Sequence, residues 1–371
     1  LVQYPFEHFG LGELLTWGAF TYPFAFLVND LANRRFGASA ARKVVLVGFV
    51  IAVFLSIWLA TPRIAIASGS AFLVAQLVDT GIFSRLRDGK WWRDLTDEFG
   101  VRWSMPDDSP LYMDITHHPL ADATIDDLAG YAWPRGNDPG RFEGLRERAL
   151  RLRNETPYAV VSGISGVVYE ICWYMRGLER WFMDMLEQPE FCEALLDRTL
   201  RFWLDWFDTF LREVGDLVDV IMIGDDLAGQ NGPLFQPDFY RRVVKPRHKQ
   251  LVQFIKPRTA ATIWYHTCCA CRDFIPDLLD NGIDLLNPVQ ISAAGMDPSQ
   301  LKAEFGDRLV FWGGAIDAQH VLPRADPGTV REHVRRNVVA LKSGGGYVFN
   351  NVHNIQAGVP AENVLAMYDA A

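Results

Sequence analysis

The chain has 371 residues, of which 49% are hydrophobic, and a formal net charge of -9. That length holds one large or two ordinary domains, and the acidic balance excludes general nucleic-acid binding. Three of its five cysteines crowd beside one histidine, which points to thiol or metal chemistry in a reducing compartment rather than a secreted disulfide framework.

The first ninety or so residues are far more apolar than the rest. Leu14 to Asn29 carries no charge and includes Trp17, Phe20, Tyr22, Phe24 and Phe26. After the basic residues Arg34, Arg35, Arg42 and Lys43, two more uncharged runs follow, Val44 to Ala60 and Ile64 to Val78. With their flanks these approach the roughly twenty residues needed to cross a bilayer. Val44 to Ala60 has no polar face beyond Ser56, which favours a membrane span over a buried helical hairpin. Basic residues precede the second run, and Arg85, Arg87, Lys90 and Arg93 follow the third. A hairpin puts both groups on one side, the cytoplasmic one by the positive-inside rule. The start is not basic and there is more than one apolar run, so a cleaved signal peptide is not expected.

The residues Thr16-Trp17-Gly18-Ala19-Phe20, Asn29-Asp30-Leu31, Arg63-Ile64-Ala65-Ile66-Ala67-Ser68 and Ala75-Gln76-Leu77-Val78-Asp79 carry a resemblance. In order and spacing, residues 1 to 93 resemble the queuosine precursor transporters, bacterial inner-membrane proteins. The resemblance implies an all-α transmembrane segment with Asp30, Arg63, Gln76 and Asp79 as polar intramembrane positions, which usually face a pathway. The family needs about six spans, and at most three are readable here.

At Arg93-Asp94-Leu95-Thr96-Asp97-Glu98 the charge rises and the apolar runs shorten. No Gly/Ser- or Pro-rich linker separates the two parts, unlike an ordinary domain junction. The composition predicts strands at Tyr158–Ser162, Val218–Ile223, Thr262–Tyr265, Leu285–Asn287, Leu309–Trp312 and Tyr347–Asn350. Helices are expected between them, over Gly177–Val214 with a break near Pro189, Pro237–Ile255, Asp273–Asp280 and Thr329–Lys342. Strand–helix alternation predicts an α/β fold with a parallel sheet, a (β/α)8 TIM-barrel-like domain over residues 94–371. A doubly wound open sheet is the alternative, disfavoured because no GxGxxG opens a helix.

Barrel enzymes keep their reactive groups at the C-terminal ends of the strands. Those ends carry Gly163, Asp225 and Asp226, His266 to Cys271, Asn287 and Gln290, Asp317, and Asn350 to His353. His266 and Cys268 stand two apart, so one strand end can aim nitrogen and thiolate donors at one point, as zinc requires. The plainer reading is a small-residue turn. Asp226 and Asp317 serve equally as helix caps, and His353 as a turn histidine.

A second resemblance rests on Gly163-Ile164-Ser165-Gly166, Gly224-Asp225-Asp226-Leu227, His266-Thr267-Cys268, Gly282-Ile283-Asp284-Leu285-Leu286-Asn287-Pro288-Val289-Gln290 and Trp312-Gly313-Gly314-Ala315-Ile316-Asp317. From about Asp97 to the C-terminus the chain resembles the uroporphyrinogen decarboxylase superfamily. One branch is cofactor-free and decarboxylates a tetrapyrrole. The other comprises zinc-dependent methyltransferases that work between a corrinoid protein and a thiol-type acceptor. The methyltransferases have the His-x-Cys, usually followed by glycine, where this chain has Cys269. Their third ligand is a C-terminal cysteine, and His353 stands at the matching position. The resemblance thus implies a zinc triad of His266, Cys268 and His353, open at its fourth position. It implies catalytic roles for His353 and Tyr174, while strand-end placement makes Asp225 and Asp226 candidate catalytic residues and Gly163, Gln290, Asp317 and Asn350 candidate substrate contacts. For the decarboxylase branch, Tyr174 and His353 match its tyrosine and C-terminal histidine, and no cofactor is expected.

The decarboxylases' arginine-rich opening and aspartate-bearing strand are not found. The first two barrel strands are expected to be missing, with the transporter-like piece in their place and Leu111–Ile115 as a weak extended segment. The expected function is zinc-dependent methyl transfer by a cytoplasmic barrel tethered to the inner membrane, with a corrinoid protein and a homodimeric copy as partners. The alternatives are tetrapyrrole decarboxylation, membrane transport of queuosine precursors, and a non-functional chimera of two fragments.

Overall fold

The structure is a computed structural model and describes residue 43 and residues 94–106, 112–163 and 166–371. The expected membrane spans lie outside the described residues. Among the described residues, no helix is long and apolar enough to cross a membrane. The chain divides into two units, one of Leu1–Leu95 with Ser104–Asp108, the other of Thr96–Trp103 with Ser109–Ala371. The second unit holds the parallel sheet and the residues at its strand ends.

Six strands form one parallel sheet: β1 (Val161–Gly163), β2 (Val220–Gly224), β3 (Thr262–His266), β4 (Leu285–Asn287), β5 (Val310–Trp312) and β6 (Tyr347–Val348). Their spatial order is their chain order. A doubly wound sheet would reverse direction at a switch point, and this sheet does not. Among the described residues, no ladder joins β6 back to β1, so both remain edges. The strands start or end up to three residues from their predicted bounds, and β6 is the shortest, at two residues. The weak strand expected near residue 111 is Asp114–His117, which is not part of the parallel sheet.

Alternation along the strands sorts side chains onto two faces. Ile263 and Tyr265 of β3 are fully buried, as are Ile223 and Leu286 on neighbouring strands. That face lies under helices, because each parallel crossover lays a helix on the sheet. The crossovers include α1 (Glu170–Arg176), α2 (Leu178–Glu187), α3 (Pro189–Val214) and α4 (Lys245–Ile255). The predicted break at Pro189 is the start of α3, where proline's missing N–H costs nothing. The other face carries Trp264, His266, Leu285, Asn287 and Trp312, since Trp264 pairs with Leu285 and His266 with Asn287. The rings of Trp264 and Trp312 stack at 4.4 Å and 10°, although β4 stands between their strands.

A buried ion pair fastens the helical layer. Arg176 is 2% exposed and Asp184 fully buried, with Nε to Oδ2 at 2.6 Å. The same guanidinium donates to the carbonyls of Leu120 and Ala123 at 2.5 and 2.8 Å, and it lies 4.1 Å from the centre of the Phe191 ring. Arg176→Met therefore leaves a buried carboxylate with only Arg180 (3.0 Å) and Gln188 (3.1 Å) as side-chain partners. The expected loss is about 3 kcal/mol, read as a lower urea midpoint at unchanged slope. A loss well under about 1 kcal/mol would show that Arg180 compensates fully.

Candidate metal centre

Strand ends set the site. Gly224 closes β2 and pairs with His266 at the end of β3. A Cβ on Gly224 would stand 2.3 Å from the His266 carbonyl oxygen and 2.7 Å from its Cβ, so any larger residue would displace the histidine. After His266 the chain turns. Thr267 donates its N–H to Asn287 at 2.8 Å, and its hydroxyl accepts the Leu227 N–H at 3.2 Å. The Cys268 N–H donates to Asp226 Oδ1 at 2.7 Å, and the Cys269 N–H to Gln290 Oε1 at 2.9 Å.

His353 arrives on the loop after β6. That loop is tied to the end of β5: Ala315 donates its N–H to Asn350 O at 3.0 Å, and Val352 to Ile316 O at 3.3 Å. The Asn351 amide donates to the His353 carbonyl. The His266 and His353 rings lie edge to face, their centres 5.9 Å apart. The donor atoms of His266, Cys268 and His353 all fall within 4.8 Å of one another.

The second hydrogen bond on His266 selects its tautomer. The Asn287 amide nitrogen donates to Trp312 O at 3.0 Å, so its oxygen faces His266 Nδ1, at 2.7 Å. Nδ1 is then the protonated nitrogen, and the Nε2 lone pair points at Cys268 Sγ, 3.4 Å away. A tetrahedral zinc holding one nitrogen and one sulfur separates them by roughly 3.6 Å. Burial, and then the His266 ring, lower the pKa of His353, which keeps it neutral and able to ligate near pH 7. Burial, and then Asp226, push the Cys268 thiol well above its usual range; a bound cation would reverse that.

The remaining predicted residues differ in what they touch. Asp225 is fully buried, and its carboxylate accepts the N–H groups of Val168 (3.0 Å) and Glu170 (2.8 Å) and faces His248 Nε2 at 2.9 Å. Asp226 stands beside the triad through Cys268. The Tyr174 hydroxyl donates to Glu170 Oε1 at 2.9 Å. Gln290 is buried and engaged with Cys269, and Gly163 packs against Met222. The Asp317 carboxylate accepts the N–H groups of Gln319 (2.8 Å) and His320 (3.0 Å), a turn-capping arrangement. Asn350 Oδ1 accepts the N–H of Asn351. Sequence reasoning passed over Glu170, which lies beside Asp226 and is 6% exposed. Its one signal is a lone acid within the apolar stretch Val167-Val168-Tyr169-Glu170-Ile171-Cys172. A groove of about 660 Å³ lies elsewhere, near the starts of β2 and β3 among Arg146, Arg153 and Arg258. Two of those arginines are already paired, with Asp216 and Asp219.

With this geometry in place, residues 95–371 match the model of the family described as "Uroporphyrinogen decarboxylase (URO-D)". The chain belongs to the uroporphyrinogen decarboxylase family. A uroporphyrinogen decarboxylase of Thermus thermophilus is 25% identical over 57% of this chain and 59% of its own length. A methyltransferase from Methanosarcina mazei has the same fold, with a TM-score of 0.55, 19% identity, and coverage of 74% of this chain and 76% of that one. Residues 16–61 match a different family, described as "Putative vitamin uptake transporter". The queuosine precursor transporter of Escherichia coli is 37% identical over 25% of this chain, which spans 50% of that protein's length. The expected two-part resemblance therefore holds, one family on each side of the charge break.

Against the family pattern seen in the sequence, Cys269 has a backbone reason to be glycine. Its φ is 69°, and among the described residues no other non-glycine has a positive φ. An L-residue there carries a strain of about 1–2 kcal/mol. Cys269→Gly is expected to raise unfolding stability by about 1 kcal/mol after glycine's extra chain entropy is deducted, as measured by urea denaturation. A fall in stability would mean that the contact from Gln230 Nε2 to the thiol, at 3.5 Å, outweighs the strain.

Proposed function

We propose that the chain is a zinc-dependent methyltransferase of the uroporphyrinogen decarboxylase family, moving a methyl group from a corrinoid-type donor to a thiol acceptor. The observation that carries this reading is the convergence of His266, Cys268 and His353 within 4.8 Å, with His266 oriented by Asn287. Two imidazoles and one thiol suit zinc and leave a fourth position for an acceptor. A zinc ion there would act as the Lewis acid that makes a bound thiol nucleophilic near neutral pH. Asn287 holds the His266 tautomer, and Asp226 fixes the Cys268 main chain. Methyl transfer forms the sulfur–carbon bond and leaves the bonding pair on the donor. The fold shared with a methyltransferase agrees with the reading. A corrinoid protein, a second copy of the chain and a membrane tether through the transporter-like segment belong to the same proposal.

The decarboxylase relative favours a second reading, cofactor-free loss of carboxyl groups from a tetrapyrrole. Metal content separates the two. The full-length chain is expected to hold one zinc, with His266→Ala, Cys268→Ser and His353→Ala each abolishing it. Asn287→Ala, which removes only the tautomer-holding bond, is expected to weaken zinc about ten- to a hundredfold, measured by competition with a chromophoric chelator. A metal-free wild-type chain after zinc reconstitution would exclude methyl transfer by this route and leave the decarboxylase reading.

A further inference from the structure

The groove at the other end of the sheet has no part in the proposed chemistry. Residues 215–219, which line it, run into β2, and residues 258–260 lead to β3, so it lies opposite the strand ends that carry the triad. Its volume of about 660 Å³ is that of a small-molecule site. Four arginines line it, Arg146, Arg153, Arg212 and Arg258, against two acids, Asp216 and Asp219. Four positive and two negative charges leave a formal +2 there, on a chain whose net charge is -9. Both acids are already held. Arg146 grips Asp216 with both ends of its fork, at 2.8 and 2.9 Å. Arg153 donates to Asp219 Oδ1 at 2.9 Å, and the Val160 N–H to Oδ2 at 2.8 Å. The carbonyls at and after the end of α3 would repel an anion, but they too are engaged: Glu213 O with Arg146 (2.5 Å), Gly215 O with the Thr259 hydroxyl (2.6 Å) and Leu217 O with Arg153 (3.3 Å).

Arg258 is the cation left over. Among the described residues it forms no ion pair. Its guanidinium lies 3.8 Å from the centre of the Phe254 ring, and it donates through Nη1 to the Phe254 carbonyl at 2.6 Å. An arginine has five N–H donors, so most of this fork is uncommitted, and stacking on the ring holds it in place. Arg212 has a side chain 69% exposed, and its ion pair is with Asp208, one turn back on the same helix, at 3.1 Å. Exposed pairs of this kind contribute little, so an arriving anion has little to displace. We infer that this groove binds a multivalent phosphate anion, a diphosphate group, with Arg258 and Arg212 as its principal contacts. The inference does not depend on the methyl-transfer reading. Guanidinium forks match phosphate oxygens two at a time. A formal +2 spread over four forks suits an anion with several charges and many oxygens, and the groove has room for more than one phosphate.

Calorimetric titration of the full-length chain with inorganic pyrophosphate and, separately, with ADP tests this. Each is expected to saturate one site per chain with a Kd below about 1 mM at low salt, and to bind more weakly as salt is raised. Arg258→Gln is expected to weaken binding about tenfold or more. Arg324→Gln, an exposed arginine outside the groove, changes the net charge equally and is expected to leave affinity unchanged. Equal affinities for the two probes identify a free diphosphate as the ligand, and a clear preference for ADP identifies a nucleoside diphosphate; either supports the site. Binding is expected to survive His266→Ala, and its loss there would place the anion at the triad and overturn the proposal. So would equal weakening by Arg258→Gln and Arg324→Gln, which would mean that the anion responds to net charge alone, or the absence of saturable pyrophosphate binding. Should Arg258→Gln not keep the wild-type urea midpoint, Arg212→Gln makes the same test, and unchanged affinity in it would count against the site.

Discussion

One buried carboxylate, that of Asp225, holds the site end of the barrel together. It accepts the N–H groups of Val168 and Glu170 at the start of α1 and meets His248 of α4 at 2.9 Å. The other nitrogen of His248 lies 3.2 Å from the Tyr240 hydroxyl and 3.4 Å from that of Tyr265 on β3. A single side chain at the end of β2 thus fixes the entry of one helix, the face of another and the neighbouring strand. A polar group this deep is costly unless its hydrogen bonds are in place, so those elements have little freedom to shift independently. Asp225 therefore sets where Glu170 and Tyr174 stand, and its neighbour Asp226 is the residue that reaches Cys268.

Sheet curvature is the second requirement. Neighbouring strands lie about 4.8 Å apart, so in a flat sheet β3 and β6 would be about 14 Å apart. Yet His266, at the end of β3, and His353, beyond β6, bring ligand atoms within 4.8 Å. The stack of Trp264 on Trp312 likewise closes over β4. A curled parallel sheet accounts for both. The open edges at β1 and β6 do not interrupt that arc, because all three donors come from β3, from the turn just after it, or from the loop that follows β6. The triad and the completeness of the barrel are separate matters for that reason.

Much of this was legible in the residues. The six strands announce themselves as short β-prone runs ending in glycine or polar turns, and the parallel order follows from the helices between them. His266 and Cys268 could be paired from their spacing, and the break near Arg93 from charge alone. Other features left little trace. Asp225 and Asp226 are adjacent acids after the same strand and read alike, yet one is sealed beneath two helices and the other reaches the triad. Glu170 reads as an ordinary acid in a first helical turn. Cys269 looked like a departure from a family glycine, and the backbone supplied the reason, a φ of 69°. The strand Asp114–His117 carries too weak an apolar alternation to be assigned from sequence.

By itself the sequence determined what is local: which runs extend, which coil, where the polar groups gather at strand ends, and where one kind of chain gives way to another. These depend on periodicity and on neighbours a few residues away. Tertiary structure alone decided which distant groups meet. His353 reaches His266 because the sheet curls, Asn287 selects the nitrogen that His266 offers because β4 lies beside β3, and Glu170 stands by Asp226 because α1 is pinned to the end of β2. Such meetings depend on the path of the backbone, which no spacing along the chain records.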